Sequence, residues 1–174
     1  MLFKKTLLAV SVAGCAMAAN AATTTANFNV TMKITSACNI STAPTTIDLG
    51  TAVSSTTAIT NNGSTTFKVN CSNKTPFFIG LAPSAANGGT ANGTGFMKGA
   101  LATPDLVPYT LYSNAGFTTV WGNTATTTTV GNGMAGTGGG MTAGKAVSFT
   151  AYAQAVNADF GPDTYVDRVT RIVY

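Results

Sequence analysis

Residues 26–35 read Ala-Asn-Phe-Asn-Val-Thr-Met-Lys-Ile-Thr, a strict alternation of apolar and polar side chains. Successive side chains of a β-strand point to opposite faces, so this period of two predicts a strand with one buried face. That face carries Phe28, Val30, Met32 and Ile34. Two interpretations stay open here. The segment is either the first strand of an ordinary sandwich or an extension that inserts into another subunit by strand addition.

Further strand patterns follow along the chain, and no stretch after Ala22 shows helical periodicity. Gly- and Asn-rich stretches at 82–95 and 131–144 predict loops between them. Short strands separated by frequent turn signals indicate one all-β domain, an antiparallel sandwich. The predicted strands after residue 35 are 47–50, 65–71, 77–81, 109–113, 145–154 and 165–174, and a further strand begins or ends at 120–121.

The composition excludes several classes of function. The chain has 174 residues, no His and no Glu, which removes imidazole catalysis and His-ligated metals. The formal net charge of +4 falls by two if Lys4 and Lys5 are removed, which is no basis for nucleic-acid binding. Gly131 to Gly136 spell G-x-G-x-x-G, but the glycines that follow argue against a dinucleotide-binding helix. We therefore expect no enzyme activity, no cofactor and no metal.

The N-terminus has the features of a secretory signal peptide. Lys4 and Lys5 precede a short apolar run, and Ala19-Asn20-Ala21 matches an A-x-A cleavage site. We expect residues 1–21 to be removed. The sequence Val12-Ala13-Gly14-Cys15 also fits a lipobox, so lipid attachment at Cys15 remains an alternative.

Cleavage after residue 21 leaves two cysteines, Cys38 and Cys71. In an exported chain an even pair of cysteines is expected to form one disulfide, the alternative being two buried thiols. A closed loop of this size stabilises a fold by about 3–4 kcal/mol.

Five segments in this order resemble the spore coat protein U domain family, which includes subunits of archaic, Csu-type chaperone–usher pili. The most specific are the fourth, with Tyr-Leu-Tyr and Val-Trp-Gly-Asn, and the last, with Asp-Thr-Tyr-x-Asp. The resemblance covers residues 26–174. The segments are FNVTMKITSACNIS (28–41), IDLG (47–50), FKVNCSNKTPF (67–77), YTLYSNAGFTTVWGN (109–123) and FGPDTYVDRVTRIVY (160–174).

The resemblance implies an incomplete immunoglobulin-like antiparallel β-sandwich that is completed by a donor strand from a neighbouring subunit. On this basis, residues 22–35 are the donor-strand extension and 36–174 the sandwich domain. Phe28, Val30, Met32 and Ile34 are then the donor residues, and Cys38 and Cys71 match the family's disulfide. The acceptor groove is expected to involve Val147, Phe149, Tyr165, Val169 and Val173.

Arg171 departs from this pattern, because it shares a face with Tyr165, Val169 and Val173 where an apolar residue is expected. It either lies at the rim of the groove or follows a bulge that shifts the face.

The resemblance also implies partners and a location. The partners are a periplasmic pilus chaperone, an outer-membrane usher and other copies of the chain or related subunits. The expected location is the cell surface, after export through the periplasm, in a fimbrium that supports attachment and biofilm formation. The alternative is a non-polymerising envelope or coat protein of the same fold, anchored by lipid if Cys15 is acylated.

Overall fold

A computed structural model describes residues 23–101 and 104–174. The predicted signal peptide and Cys15 lie outside these residues. The chain divides after Ile34 into two units, Met1–Ile34 and Thr35–Tyr174, and each is considered by itself.

The described part of the first unit, residues 23–34, contains no strand. The apolar side chains of Phe28, Val30, Met32 and Ile34 are 76–88% exposed. Extended backbone becomes a β-strand only when another strand satisfies its N–H and C=O groups. Residues 23–34 are not part of a strand in the structure, and the role of 26–35 as an extension that inserts into another subunit stays a prediction.

The described residues of the second unit form eight antiparallel strands in two sheets, with no α-helix among them. A five-stranded sheet has the order β1-β2-β7-β5-β4, and a three-stranded sheet has the order β6-β3-β8. The strands are β1 (Cys38–Thr42), β2 (Asn61–Cys71), β3 (Pro76–Ala82), β4 (Thr94–Lys98), β5 (Leu106–Tyr112), β6 (Met134–Thr137), β7 (Val147–Ala155) and β8 (Thr170–Val173).

The centre of the larger sheet is the long antiparallel pair β2–β7. It runs without interruption from Asn61 opposite Ala155 to Val69 opposite Val147. Along β2 exposed and buried residues alternate up to Val69, as the sequence pattern predicted. The inward side chains of both strands form the floor on which the second sheet packs.

The core between the sheets is dominated by aromatic side chains. Phe67 packs against Phe149 with ring centroids 5.9 Å apart, and Trp121 lies 6.0 Å from Phe67. The Trp121 indole N–H donates to the Ile79 carbonyl of β3 at 2.9 Å, while its backbone N–H donates to Leu111 of β5. Trp121 thus links the two sheets and satisfies its one polar group in the interior.

A Cys38–Cys71 disulfide joins β1 to β2, as expected from the even cysteine pair. The two cysteines are directly paired residues of the ladder. The bridge therefore holds the short edge strand β1, whose first residue follows Ile34 by only four positions, to the longest strand of the fold.

Further sequence predictions differ from the structure. The Gly-rich stretch 131–144, predicted as a loop, contains β6, which pairs with β3. Residues 47–50 form no strand, and of the predicted strand 165–174 only Thr170–Val173 is regular. The described residues include no helix that is long and apolar enough to cross a membrane.

Candidate functional site

A groove of about 380 Å³ lies between the sheets, where the three-stranded sheet does not cover the five-stranded one. Its floor is the inner face of β2, β5 and β7. One wall is the segment 44–49, and the other is the segment 165–171. The lining side chains are largely apolar and include Ile47, Leu49, Phe67, Leu81, Met97, Leu111 and Val169.

The two walls are the segments in which predicted strands are absent or incomplete. Both have the composition of strands, yet neither pairs along its length with another strand. In the second wall, the segment before β8 pairs only through the single bridge between Val166 and Lys98. An edge with unpaired backbone groups beside an apolar floor is a template for an additional strand.

The first wall is fixed to β2 by close contacts and side-chain hydrogen bonds. The Asn61 amide donates to the Leu49 carbonyl at 2.7 Å, and the hydroxyls of Thr45 and Thr65 lie 3.1 Å apart. Gly63 makes this approach possible, because a Cβ there would lie 2.5 Å from the Asp48 carbonyl oxygen. The wall is therefore positioned by β2 and not by a ladder of its own.

The second wall is fixed by the carboxylate of Asp167. It accepts hydrogen bonds from the Tyr109 hydroxyl at 2.6 Å, the Asn87 amide at 2.7 Å and the backbone N–H of Ser84 at 3.3 Å. Burial raises the pKa of Tyr109 far above its ordinary value, and the hydrogen bond and negative charge of Asp167 raise it further. The phenol thus stays neutral and keeps its donor on Asp167.

The entry to the second wall is held by further polar contacts. The backbone N–H of Thr164, 2.7 Å from the carboxylate, lowers the pKa of Asp163, and the N–H of Leu101 adds to the effect. The Tyr165 hydroxyl donates to the Gly161 carbonyl at 2.6 Å. Burial raises the pKa of Tyr165, and the charges of Asp105 and Asp163 raise it further.

The residues expected to form the acceptor groove are not all brought together. Tyr165 and Val169 line the groove. Phe149 belongs to the closed core, while Val147 and Val173 pack against that core and are not among the residues lining the groove. Ile47 and Leu49 of the opposite wall were not among the expected residues.

Arg171 lines the groove at the end of the second wall. β8 pairs with β3 residue for residue, with Arg171 opposite Leu81 and Val173 opposite Ile79, so no bulge interrupts this strand. The side chain is half-buried, and its Nε is buried with no hydrogen-bond partner among the residues that the structure describes. Arg171 therefore stays on the inward face of the strand.

A second cavity, of about 630 Å³, continues from the other end of the groove. The residues that line both cavities are Thr46, Ile47, Leu49, Met97 and Tyr165. Together they form one depression that runs from Arg171 past Tyr165 toward Asn157 and Phe160. In the described part of the chain, no three His, Cys, Asp or Glu side chains are grouped as a metal site would require.

Asp167 and Tyr109 are site residues that sequence reasoning missed. Asp167 shares the inward face of 165–173 with Tyr165 and Val169. A carboxylate at an inward position of an apolar strand is itself a signal that a buried donor lies opposite. Identifying that donor as Tyr109, 58 residues away, requires the fold.

Comparison with known families decides the relationship. The family described as Spore Coat Protein U domain matches residues 24–171. The chain belongs to this family. Among solved structures, this Spore Coat Protein U domain is similar to a chain of the chaperone–tip adhesion subunit pre-assembly complex from the archaic chaperone–usher Csu pili of Acinetobacter baumannii. That similarity has a TM-score of 0.45 and 17% identity, and covers 80% of this chain and 40% of the other. Comparison with curated protein sequences finds no match.

Proposed function

We propose that this Spore Coat Protein U domain is a structural subunit of a chaperone–usher surface pilus that polymerises by donor-strand exchange. The observation that carries the proposal is that one chain has both an open apolar groove and an exposed row of alternating apolar side chains. The groove lies between 44–49 and 165–171. The row is Phe28, Val30, Met32 and Ile34.

In the proposed fibre, this row lies in the groove of the next copy. Each large apolar side chain buried there gains about 1.5–3 kcal/mol relative to water. The backbone of the inserted strand also satisfies the edge of β8, which is an outer strand of its sheet. Both gains are absent in a single chain, which explains why residues 23–34 form no strand there.

Before assembly the same groove needs a temporary occupant, because an open strand edge and an apolar cleft promote aggregation. We propose a periplasmic chaperone for this role and an outer-membrane usher as the place of exchange. The proposed location is the cell surface, with a role in attachment and biofilm formation and no enzymatic role.

Substitutions on the two faces of the extension test the proposal. Val30→Asp or Met32→Asp places a carboxylate in a dry groove, where an unpaired charge costs several kcal/mol. Asn29→Asp and Thr31→Asp, on the other face, are the matched controls. With the chaperone and usher genes co-expressed, we expect the first pair to abolish surface fibres and the second pair to leave them largely intact.

The chaperone complex separates the possible outcomes. Because the chaperone fills the groove itself, all four variants should form normal amounts of periplasmic complex. Normal fibres from Val30→Asp and Met32→Asp would show that Phe28–Ile34 is not the donor strand. A chain that forms chaperone-independent, monomeric surface protein would instead support the non-polymerising coat or envelope alternative.

A further inference from the structure

Arg171 is a polar residue in an apolar wall, and its environment is incomplete. The other charged inward residue of this wall, Asp167, is fully engaged by Tyr109, Asn87 and Ser84. Arg171 Nε, in contrast, is buried without any partner among the described residues. Native proteins pair almost all buried donors, so this N–H is available to an oxygen acceptor that enters the groove from a second copy.

The position of Arg171 limits where that acceptor lies. Arg171 and Pro44 line one end of the groove, where Thr65 forms part of the floor. Tyr165 and Leu49 line the opposite end, near Asn61. The depression continues beyond Tyr165 into the second cavity. Arg171 lines the first cavity and is not among the residues that line the second. We therefore expect the apolar part of an inserted strand to end at Arg171.

The extension has the matching pattern. Its inward positions continue the period of two beyond the apolar row, to Ala26 and Thr24 on one side and to Ser36 on the other. Large apolar side chains thus stop on both sides at small or hydroxyl-bearing residues. The inserted strand can run in either of two directions along the groove. In both, the residue at the end of the apolar row that faces Arg171 is Ala26, Thr24 or Ser36, so carbonyl or hydroxyl oxygens lie next to Arg171.

We propose that Arg171 sets the register of the strand inserted from a second copy. Its Nε–H donates to an oxygen of residues 24–26 or 36 of that strand, at the end of the apolar row. A strand shifted by two residues places a large apolar side chain against Arg171 and leaves the donor unpaired. The proposal rests on the proposed function, because it names a determinant of selectivity within the same groove.

Peptide binding to the full chain tests this inference. The chain carries Val30→Asp in its own extension, so that it can accept a strand but not donate one, and is refolded with labelled peptides. The native peptide spans residues 24–36, and the extended-row peptide has Leu at positions 24 and 36. A third peptide, with Val30→Asp, is the negative control. Fluorescence anisotropy reports the affinity of each peptide.

We expect the chain with Arg171 to bind the native peptide about ten-fold more tightly than the extended-row peptide, because an unpaired buried donor is strongly unfavourable. Arg171→Met, which keeps the length of the stem, should still bind the native peptide but lose this preference. Arg171→Lys keeps the charge without Nε and should lose it as well.

Two further peptides identify the acceptor, one with Thr24→Val and one with Ser36→Ala. A loss of affinity that depends on Arg171 assigns the bond to that hydroxyl, and unchanged affinity assigns it to a main-chain carbonyl.

The inference is overturned if the chain with Arg171 shows no preference, or if the Arg171→Met and Arg171→Lys variants keep the same preference. If the Val30→Asp peptide binds as well as the native one, the proposed function itself fails.

Discussion

At the scale of single residues, the groove depends on polar groups that hold its apolar walls in place. Asp167 is the clearest example, because three donors from two parts of the chain converge on one carboxylate. The buried Tyr109 hydroxyl supplies the shortest of these bonds. Hydrogen bonds to a charged group contribute about 1.5–3 kcal/mol each. The second wall is thus tied to β5 independently of whatever fills the groove.

The raised pKa of Tyr109 predicts a specific dependence of stability on pH. The folded chain holds the phenol proton more tightly than the unfolded chain does, so this contribution is complete below the ordinary tyrosine pKa of 10.0. It is lost progressively as the pH rises above that value toward the folded pKa. Tyr109→Phe should lower the free energy of unfolding by about 1–3 kcal/mol near neutral pH. The substitution should also remove part of the decrease in unfolding free energy that the unaltered chain shows at high pH.

Urea unfolding at about pH 8 and about pH 11 measures both effects. Tyr112→Phe, which alters a tyrosine of the same strand outside the groove, is the control for the general loss of stability at high pH. Equal pH dependence in Tyr109→Phe and the unaltered chain would show that the buried phenol does not contribute.

At the scale of elements, the wall 44–49 depends on its close approach to β2 at Gly63. Any Cβ there meets the backbone of Asp48, which cannot move as a side-chain tip can. Gly63→Ala should therefore displace the wall, lower the free energy of unfolding by about 1–3 kcal/mol and weaken binding of the donor-strand peptide. Thermal unfolding and peptide anisotropy measure the two effects.

Gly144→Ala is the matched control, because nothing lies within 4 Å of a Cβ at that position. Its effect on stability should stay within about 0.5 kcal/mol. If both glycine variants behave alike, the first wall is not positioned by its contact with β2.

The strands that sequence alone predicted are those with a face on the core. Alternation in 65–71 and 145–154 located β2 and β7, because inward and outward residues there differ sharply in polarity. β1 has almost no buried residue and β6 lies in a Gly-rich stretch, so their pairing is set by neighbouring strands and not by pattern. The predicted strand 47–50 failed for a different reason. It has a strand's composition but pairs with no strand among the described residues.

The same limit applies to the candidate site, of which only the part with a local alternating pattern could be predicted from the sequence. The alternation of 165–173 identified one wall and the anomaly at Arg171. The opposite wall and the bond between Asp167 and Tyr109 join residues far apart in sequence, and no local pattern reveals such pairs. The placement of Phe149 and Val173 away from the groove also follows from packing between the sheets, which the sequence does not specify.

At the scale of the whole molecule, the proposed subunit has the two halves of one interaction on separate parts of its chain. The extension supplies an apolar row without a partner, and the second unit supplies a groove without an occupant. On this proposal, the second unit becomes a complete fold when a strand is supplied from any source. β8 ends at Val173, one residue before Tyr174, so a strand appended there through a short flexible linker can turn back along the free edge of β8.

We therefore predict that the chain without residues 22–35, but with residues 24–36 appended after Tyr174, is a soluble monomer with a cooperative thermal transition. Without the appended strand, the same chain should aggregate or be degraded when no chaperone is present, because its groove and strand edge stay exposed. Val30→Asp within the appended strand should abolish the gain in solubility and stability, since it buries an unpaired carboxylate. Thr31→Asp in the same strand should preserve that gain. Size-exclusion chromatography and circular dichroism distinguish these cases. A stable monomer from the chain that lacks any donor strand would mean that the sandwich is already complete, and the groove would then not be a strand-binding site.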